Sequence, residues 1–381
     1  MARRLLLTGR MKRAKQSPKV RYAVIGLGHI AQVAVLPAFE HARENSELVA
    51  LVSSDPKKLR TLGKRYDVPL LGSYDDIGEI LSKGLVDAAY LAVPNHLHRD
   101  MTLQLAKLGV HVLCEKPMAM TSSDCEAMIR AADEHDVKLM VAYRLHFEKA
   151  NLAAIERLRK GEIGEPQLFS SVFCHQVREG DIRTQKRLGG GALYDLGVYC
   201  VNAARHLFGA EPEEVAAAQL LGTDERFPDV DATTTAFLRF PDHRLAQFTA
   251  SQGAADIAEY RVVGSKGDLR LDPAYEYAGE LKEYVTIEGK TKEKTYAKSD
   301  QFAPELVYFS SCILDDREPE PSGEEGLADV RVLEAIAQSA KSGRTVKLAP
   351  FRRKDRPSRR QAMRKPPVRK PETVHAPSPS K

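Results

Sequence analysis

The chain has 381 residues, of which 43% are hydrophobic and 29% are charged, and its formal net charge is +5. These values predict a folded protein with a substantial core divided between two domains, and they exclude a disordered or low-complexity chain. The apolar run Leu5–Leu7 is too short for a secretory signal and no later segment has the length of a membrane span, so we expect a cytoplasmic protein without membrane contact.

Basic residues are concentrated at the two ends of the chain. Residues 1–19 and 350–381 are rich in Lys, Arg, Pro and Ser and lack periodic apolar content, which predicts a flexible basic leader and a disordered basic tail. Charge without interleaved aromatic residues is typical of a solvated tail, and we expect no nucleic-acid partner. The five cysteines are odd in number and have no Cys-x-x-Cys spacing, so we expect reduced thiols and no metal site.

The first part of the chain alternates apolar runs with segments of helical spacing. The predicted strands cover residues 20–25, 48–52, 87–93, 110–114 and 138–143, and the predicted helices cover residues 30–43, 97–108 and 122–135. Strands that alternate with helices predict an α/β, doubly wound parallel sheet of the Rossmann type over residues 20–143.

A pair of glycines follows the first predicted strand, in the sequence Gly26-Leu27-Gly28-His29-Ile30-Ala31. The first glycine turns the chain tightly, and the second lets a pyrophosphate approach the backbone. The next residues, His29 and Ile30, begin a helix whose free amide groups attract an anion. This short motif also fits an ordinary turn between a strand and a helix, but its place in a strand-helix-strand unit favours dinucleotide binding.

The end of the second predicted strand indicates which dinucleotide is bound. Small polar and cationic residues, here Ser53, Ser54 and Lys58, would accept a 2′-phosphate, which favours NADP over NAD. A carboxylate at this position would bind the ribose hydroxyls of NAD, and Asp55 is close enough to do so. The alternative is a helix N-cap formed by Ser54 or Asp55 with solvated lysines.

The pattern changes after Tyr143. Helical spacing covers residues 147–159 and 192–208, and successive strands are predicted at residues 167–177, 215–221, 233–240, 245–251 and 260–263. Residues 144–349 are therefore predicted to form an α+β domain with a large, mostly antiparallel sheet that carries the substrate site. One face of such a sheet has to be covered by helices or by a partner subunit, so we expect a homo-dimer or homo-tetramer.

Two further segments carry chemical groups. Glu115 and Lys116 follow a predicted sheet strand, where doubly wound folds bind ligands. In the second segment, Asp195 and Tyr199 follow a triple glycine and are four residues apart, which puts both side chains on one face of a helix.

Several motifs together resemble one family. They are Gly26-Leu27-Gly28, Val93-Pro94-Asn95-His96, Glu115-Lys116-Pro117, the glycines at 189–191 and the segment 195–199. Over about residues 20–348 the chain resembles the glucose-fructose oxidoreductase, inositol dehydrogenase and rhizopine-catabolism family of nicotinamide-dependent oxidoreductases. Tyr199 stands where the inositol dehydrogenase branch usually has histidine, so the chain is similar to the branch with dimeric dihydrodiol dehydrogenases and NADP-dependent aldose dehydrogenases.

The resemblance implies roles for the chemical groups. Hydride transfer at a carbinol carbon requires a group that takes or returns a proton, and Tyr199 matches that position. A free phenol has a pKa of about 10, so a neighbouring cation has to favour the phenolate, and Lys116 could supply the charge. The peptide bond before the following proline is often cis in the family. Asp195 would bind substrate hydroxyls or orient the pair.

The resemblance also implies binding residues. It assigns Pro94, Asn95, His98, Glu115 and Lys116 to the cofactor, and Tyr143, Arg144 and Arg187 to the substrate pocket. Asn95 could instead cap a turn, and the arginines could form structural salt bridges. Structural alternatives also exist for the catalytic candidates: Tyr199 could be a core tyrosine, Lys116 part of a surface turn and Asp195 a surface charge that stabilises a helix. His175 and His206 are interpreted as packing or surface residues.

The resulting hypothesis is an NAD(P)-dependent oxidoreductase that acts on a sugar, a sugar derivative or a cyclic polyol or diol. The alternative is a catalytically silent dinucleotide-binding protein with a regulatory or interaction role. Lys116, Asp195 and Tyr199 favour the enzyme, because a sensor needs the glycine turn but not a proton-transfer group.

Overall fold

The computed structural model describes residues 18–81, 84–222, 224–353 and 355–380. Its first sheet has six parallel strands in the order β3-β2-β1-β4-β5-β6. Their bounds are β1 Val20–Ile25, β2 Ser46–Val52, β3 Leu70–Gly72, β4 Ala88–Leu91, β5 His111–Glu115 and β6 Leu139–Ala142. Helices cover both faces, which explains the continuous apolar runs, and the predicted doubly wound sheet is confirmed. The strand order changes direction between β1 and β4, and in such folds ligands bind outside the carboxyl ends of the strands at that point.

The helices of this part are α1 Leu36–Ala38, α2 Pro56–Tyr66, α3 Ile77–Leu81, α4 His98–Lys107 and α5 Ser122–Glu134. The predicted continuous helix over residues 30–43 is wrong. A π-helical turn at Ala31–Val35 precedes α1, which ends at Ala38. Pro37 has no N–H to donate and its ring crowds the preceding turn, so the wider π turn accommodates it.

The second sheet has nine strands in the order β14-β13-β12-β11-β7-β10-β9-β8-β15. It is antiparallel except for the β7–β10 pair, which confirms a mostly antiparallel sheet. The strand bounds are β7 Pro166–Cys174, β8 Glu214–Leu221, β9 Asp231–Phe240, β10 Arg244–Ser251, β11 Ile257–Gly264, β12 Gly267–Leu271, β13 Leu281–Ile287, β14 Lys290–Tyr296 and β15 Val346–Lys347.

Four helices complete the fold, namely α6 Lys149–Arg159, α7 Val198–Phe208, α8 Ala303–Leu314 and α9 Gly323–Ser342. Helices α6, α7 and α9 pack on one face of the nine-stranded sheet. Helix α8 instead packs on β1 and β2, so the parallel sheet takes one covering helix from the region that the sequence assigns to the second domain. All five cysteines are free and buried. Within the described ranges, no helix combines the length and apolarity needed to cross a membrane.

The prediction of a disordered tail from residue 350 is wrong for the described part of that segment. The Arg353 guanidinium is 2% exposed and donates to Glu320 at 2.7 Å. Further along, the Met363 amide donates to the Phe147 carbonyl, and Ala376 is buried. These contacts are individual polar pairs rather than a periodic apolar face, so hydrophobic periodicity did not detect them. Most of the predicted basic leader, residues 1–17, lies outside the described residues.

Candidate active site

The glycine turn lies at the carboxyl end of β1. Gly26 has a φ of +93°, and a Cβ atom there would lie 2.4 Å from the Ala92 carbonyl oxygen, so only glycine fits. A Cβ atom at Gly28 would meet nothing within 4 Å, which leaves open space beside the first helical turn. His29 and Ile30 are half-buried at the start of that turn. The residues present therefore fit a dinucleotide pyrophosphate, which requires open space at a helix N-terminus.

The end of β2 combines capping and cationic groups. Asp55 caps α2, because its Oδ1 atom accepts from the Lys57 and Lys58 amides at 2.8 and 3.2 Å, so the N-cap alternative is confirmed for Asp55. Ser53 is buried and its hydroxyl accepts from the Asp55 amide, whereas Ser54 is exposed. The Lys58 side chain is half-buried, and burial lowers its pKa although the nearby Asp55 opposes the shift.

The loop after β4 joins the two parts of the molecule. Asn95 directly follows Pro94, and its side-chain amide donates to the Gly189 carbonyl at 2.9 Å. His98 is 1% exposed, and its two ring nitrogens lie 3.0 Å from the carbonyl oxygens of Val93 and Pro117. The expectation that His98 contacts the cofactor disagrees with this burial, because both of its nitrogens hold neighbouring loops.

Glu115 and Lys116 lie at the end of β5. The Tyr90 hydroxyl donates to Glu115 at 2.8 Å, and the Lys116 amide donates to the other carboxylate oxygen at 3.2 Å. Burial raises the pKa of Glu115, although the Lys116 ammonium opposes the shift. The peptide bond between Lys116 and Pro117 is cis.

Lys116 brings together the groups singled out in the sequence. Its ammonium donates to the backbone oxygen of Asp195 at 2.9 Å and to the carboxylate at 3.2 Å. The same nitrogen lies 4.6 Å from the centre of the Tyr199 ring. Burial lowers the pKa of Lys116, but Tyr199 and Asp195 outweigh burial and the net shift is upward. Lys116 therefore keeps its positive charge beside the phenol.

Asp195 is an ionised, fully hydrogen-bonded carboxylate. Its second oxygen accepts from Arg183 Nε at 2.8 Å and from the Gln252 amide at 3.0 Å. Burial raises the pKa of Asp195, but the charges of Arg183 and Lys116 outweigh it and hold the pKa well below its usual range. Because its acceptors are used by the protein, the geometry favours the orienting role over direct binding of substrate hydroxyls.

The three expected substrate residues differ in their positions. Arg144 is buried, and its guanidinium carbon lies 5.1 Å from the Tyr199 ring centre and 5.4 Å from that of Tyr277. Tyr143 is not brought to this cluster, because its ring stacks on His146 at 5.3 Å. Arg187 is exposed and donates to Gln185.

Two residues near the cluster were missed by the sequence analysis, namely Arg183 and Gln252, which both bind Asp195. His175, which the sequence analysis interpreted as a packing or surface residue, has a buried Nε2 atom with no hydrogen-bond partner in the described part of the chain. His175 also lies close enough for Asp195 to raise its pKa, although burial dominates and the net shift is downward. Arg183 precedes the glycine run by a few residues, as Arg187 does, and no periodicity distinguishes the two.

The triple glycine serves the packing of the protein itself. Gly191 has a φ of +117°, and a Cβ atom there would lie 2.2 Å from Asp231 Oδ1. The other carboxylate oxygen of Asp231 accepts from the Leu193 amide at 2.7 Å, at the start of the π-helical turn that carries Asp195. The close approach that Gly191 permits is thus to Asp231 at the start of β9, and it orients the segment leading to Tyr199.

Comparison with known proteins agrees with this arrangement. A model described as an oxidoreductase family with an NAD-binding Rossmann fold matches residues 20–143, and a model of the GFO/IDH/MocA C-terminal domain matches residues 151–270. D-xylose 1-dehydrogenase [NADP(+)] of Haloarcula marismortui is 34% identical over 337 residues, which cover 86% of this chain and 93% of the relative.

Two solved structures are similar over nearly their whole length. The aldose-aldose oxidoreductase from Caulobacter crescentus, complexed with glycerol, has a TM-score of 0.83 and 38% identity, covering 87% of this chain and 100% of its own. A 3-ketoreductase from Actinomadura kijaniata, in complex with NADP and TDP-benzene, has a TM-score of 0.78 and 27% identity, covering 84% of this chain and 98% of its own.

Proposed function

Because the chain belongs to the Gfo/Idh/MocA family of oxidoreductases, we propose that it transfers hydride between NADP and the hydroxyl-bearing carbon of an aldose or related sugar. The observation that carries the proposal is the meeting of Lys116, Asp195 and Tyr199 at the carboxyl end of β5, on the same edge of the parallel sheet as the glycine turn. Relatives that act on xylose and on other aldoses support a sugar substrate, and the NADP-dependent relatives support the cofactor.

The proposed cofactor site follows the strand ends of the parallel sheet. Gly26, Gly28, His29 and Ile30 would hold the pyrophosphate, because the turn is open and the helix begins there. Ser53, Ser54 and Lys58 would take the 2′-phosphate at the end of β2. Towards the second sheet, the residues that would hold the nicotinamide half are Pro94, Asn95, Glu115 and Lys116. When bound, the nicotinamide ring supplies the hydride acceptor or donor.

Tyr199 is the proposed proton acceptor during sugar oxidation and the proton donor during reduction. The Lys116 ammonium, 4.6 Å from the ring centre, stabilises the phenolate that accepts the hydroxyl proton. The buried Arg144 guanidinium, 5.1 Å from the same ring, adds a second positive charge. Asp195 acts through Lys116: it accepts two hydrogen bonds from Arg183 and Gln252 and therefore holds the ammonium in one position.

His175 completes the proposed substrate side. Its Nε2 atom is buried without a partner among the described residues, and a buried polar nitrogen is costly unless it receives a hydrogen bond. A sugar hydroxyl would satisfy it. This assignment gives the substrate a polar contact that does not compete with the protein's own hydrogen bonds to Asp195.

The test uses the full chain and the absorbance of reduced nicotinamide. Purified protein is mixed with NADP or NAD and with D-xylose, other aldoses, inositols or simple diols. We expect turnover with at least one aldose and faster turnover with NADP. Tight dinucleotide binding without turnover of any of these substrates would contradict the proposal and favour the silent dinucleotide-binding alternative.

We also propose a homo-oligomer that uses the open face of the nine-stranded sheet. This face carries exposed apolar side chains on adjacent strands, with Leu168, Phe237, Leu245, Ile257 and Val263 between 36% and 55% exposed. A patch of this kind on a sheet is typical of a protein interface. A second copy of the chain would cover it, because one self-complementary surface suffices for a two-fold dimer.

A further inference from the structure

The last described residues of the chain run along the proposed cofactor cleft. We define residues 372–380 as the C-terminal strap. At one end the Arg65 guanidinium, in α2, donates to the Glu372 carbonyl at 2.7 Å. At the other end the Arg178 amide donates to the Pro379 carbonyl at 3.0 Å, so the strap reaches from the parallel sheet to the second sheet.

The middle of the strap is held against the glycine turn. The Gln32 side chain pairs with Val374 in both directions, donating to its carbonyl at 2.9 Å and accepting from its amide at 2.7 Å. His29 Nδ1 lies 3.1 Å from the Ala376 carbonyl oxygen, and Ala376 is 6% exposed. The strap thus follows the direction in which a dinucleotide extends, from the end of β2 across the turn.

One strap residue contacts the position that distinguishes NAD from NADP. His375 Nδ1 lies 2.8 Å from Asp55 Oδ2, and the other oxygen of Asp55 caps α2. The hydrogen bond from His375 has the largest effect on the pKa of Asp55, the backbone amides of α2 add smaller ones, and together they lower this pKa to about 2. The carboxylate is therefore ionised, and both of its oxygens have protein partners. His375 and the two α2 amides therefore occupy acceptor positions of Asp55 that the ribose hydroxyls of NAD would otherwise use.

We propose that His375 is a specificity-determining residue, which favours the phosphorylated dinucleotide by holding Asp55 away from the ribose. Lys58 and the serines at the end of β2 then present donors and positive charge to a 2′-phosphate. The inference rests on the proposed cofactor, and it adds a residue from the C-terminal strap to a site otherwise built from the parallel sheet.

The test measures dissociation constants rather than activity. Binding of NADPH and NADH to the full chain is followed by nicotinamide fluorescence, in the wild type and in His375→Ala, Asp55→Asn and the double variant. Partly exposed charged pairs contribute modestly to binding free energy. We therefore expect His375→Ala to lower the ratio of the NADH dissociation constant to the NADPH dissociation constant by about fivefold. With Asp55→Asn already present, the His375 change should have no further effect, because the two residues act through one contact.

Ser378→Ala is the matched control, since Ser378 lies in the strap and its hydroxyl, among the residues that the structure describes, accepts from the Ser380 amide of the strap. If the ratio of the NADH and NADPH dissociation constants were the same in His375→Ala as in the wild type, the inference would be overturned. Tighter binding of both dinucleotides by His375→Ala and by a chain lacking residues 372–381 would also overturn it, because the strap would then occupy the cleft. Absence of sugar turnover would contradict the proposed function alone, whereas absence of dinucleotide binding would overturn both.

Discussion

The Lys116 ammonium lies 4.6 Å from the centre of the Tyr199 ring while it donates to Asp195. Lys116 follows a strand of the parallel sheet, and Tyr199 lies in a helix that packs on the nine-stranded sheet. The proposed proton-transfer pair therefore exists only when the two parts of the molecule are assembled. This dependence shapes the predictions that concern activity.

Replacing Tyr199 with phenylalanine should abolish most turnover. The ring and its packing on Phe173 at 5.5 Å are retained, but the hydroxyl that exchanges the proton is lost. We expect kcat to fall at least about 100-fold, in line with general acid–base catalysis by a positioned side chain. NADPH binding should be unchanged in a fluorescence titration. Full activity of this variant would mean that another group transfers the proton.

Arg183 and Arg187 provide a matched pair for the support of Asp195. Arg183 binds the carboxylate at 2.8 Å, whereas Arg187 is exposed and contacts only Gln185 among the described residues. Arg183→Met should lower kcat about 10- to 100-fold, because a small displacement of the Lys116 ammonium misaligns the proton transfer. Arg187→Met should retain wild-type kinetics. Equal losses in the two variants would contradict the assigned role of Arg183.

Arg353 should stabilise the fold although it lies in the basic C-terminal segment. Its guanidinium is 2% exposed and binds both Glu320 and the fully buried Glu325. Arg353→Ala leaves these carboxylates with one cation fewer. Removing one partner of a buried ion pair lowers the free energy of unfolding by about 3 kcal/mol. The neighbouring Arg352 is exposed, and Arg352→Ala is the control. Thermal unfolding at pH 7 checks the difference, and identical melting of both variants would show that the segment adds no stability.

Buried His146 should make the fold sensitive to mild acid. Burial, assisted by the neighbouring His206, lowers the pKa of His146 to about 3 from an ordinary value of 6.5. The folded state therefore binds fewer protons than the unfolded chain, so this contribution to stability is complete above pH 6.5 and is lost as the pH falls. Between pH 6.5 and 5.5 the loss is about 1 kcal/mol.

His146→Gln should weaken this pH dependence, because glutamine does not titrate. The fold should be retained, since the glutamine amide can still donate to Asn202, which is the partner of the imidazole at 3.0 Å. His135→Gln, at an exposed histidine, should leave the pH dependence unchanged. Denaturant unfolding across the pH range gives the measurement. If the free energy of unfolding of His146→Gln fell with pH as steeply as that of the wild type, the acid sensitivity would belong to other groups, such as His206.

The open sheet face should control assembly. Phe237 is 55% exposed on β9, beside the β10 part of this face, and Phe237→Glu would put a charge into the proposed interface. We expect the wild type to be a dimer or tetramer by size-exclusion chromatography with light scattering, and the variant to be smaller. Leu71→Glu, at a 41% exposed residue of the parallel sheet, should not change the mass. A monomeric wild type would contradict the proposed interface.

Much of the site could be predicted from local patterns, but its partners could not. The segments with Lys116, Asp195 and Tyr199 stand out by a predicted strand end and a glycine run, and the roles of the three residues were implied by the resemblance to a family. The choice between Arg183 and Arg187 does not, because both arginines lie in irregular loop segments without periodicity. His98 shows the same limit, since the resemblance assigned it to the cofactor and only the structure shows that it is 1% exposed.

The sequence by itself determined the two kinds of sheet, the glycine turn and the chemical groups of the site, because hydrophobic period and turn residues act over a few neighbouring positions. Only the tertiary structure decided that Arg183 holds Asp195, that α8 covers the parallel sheet and that residues 372–380 contact the segment after the glycine turn. These contacts join residues far apart in the chain, and polar pairs of that kind depend on distance and direction in space, which no local period encodes.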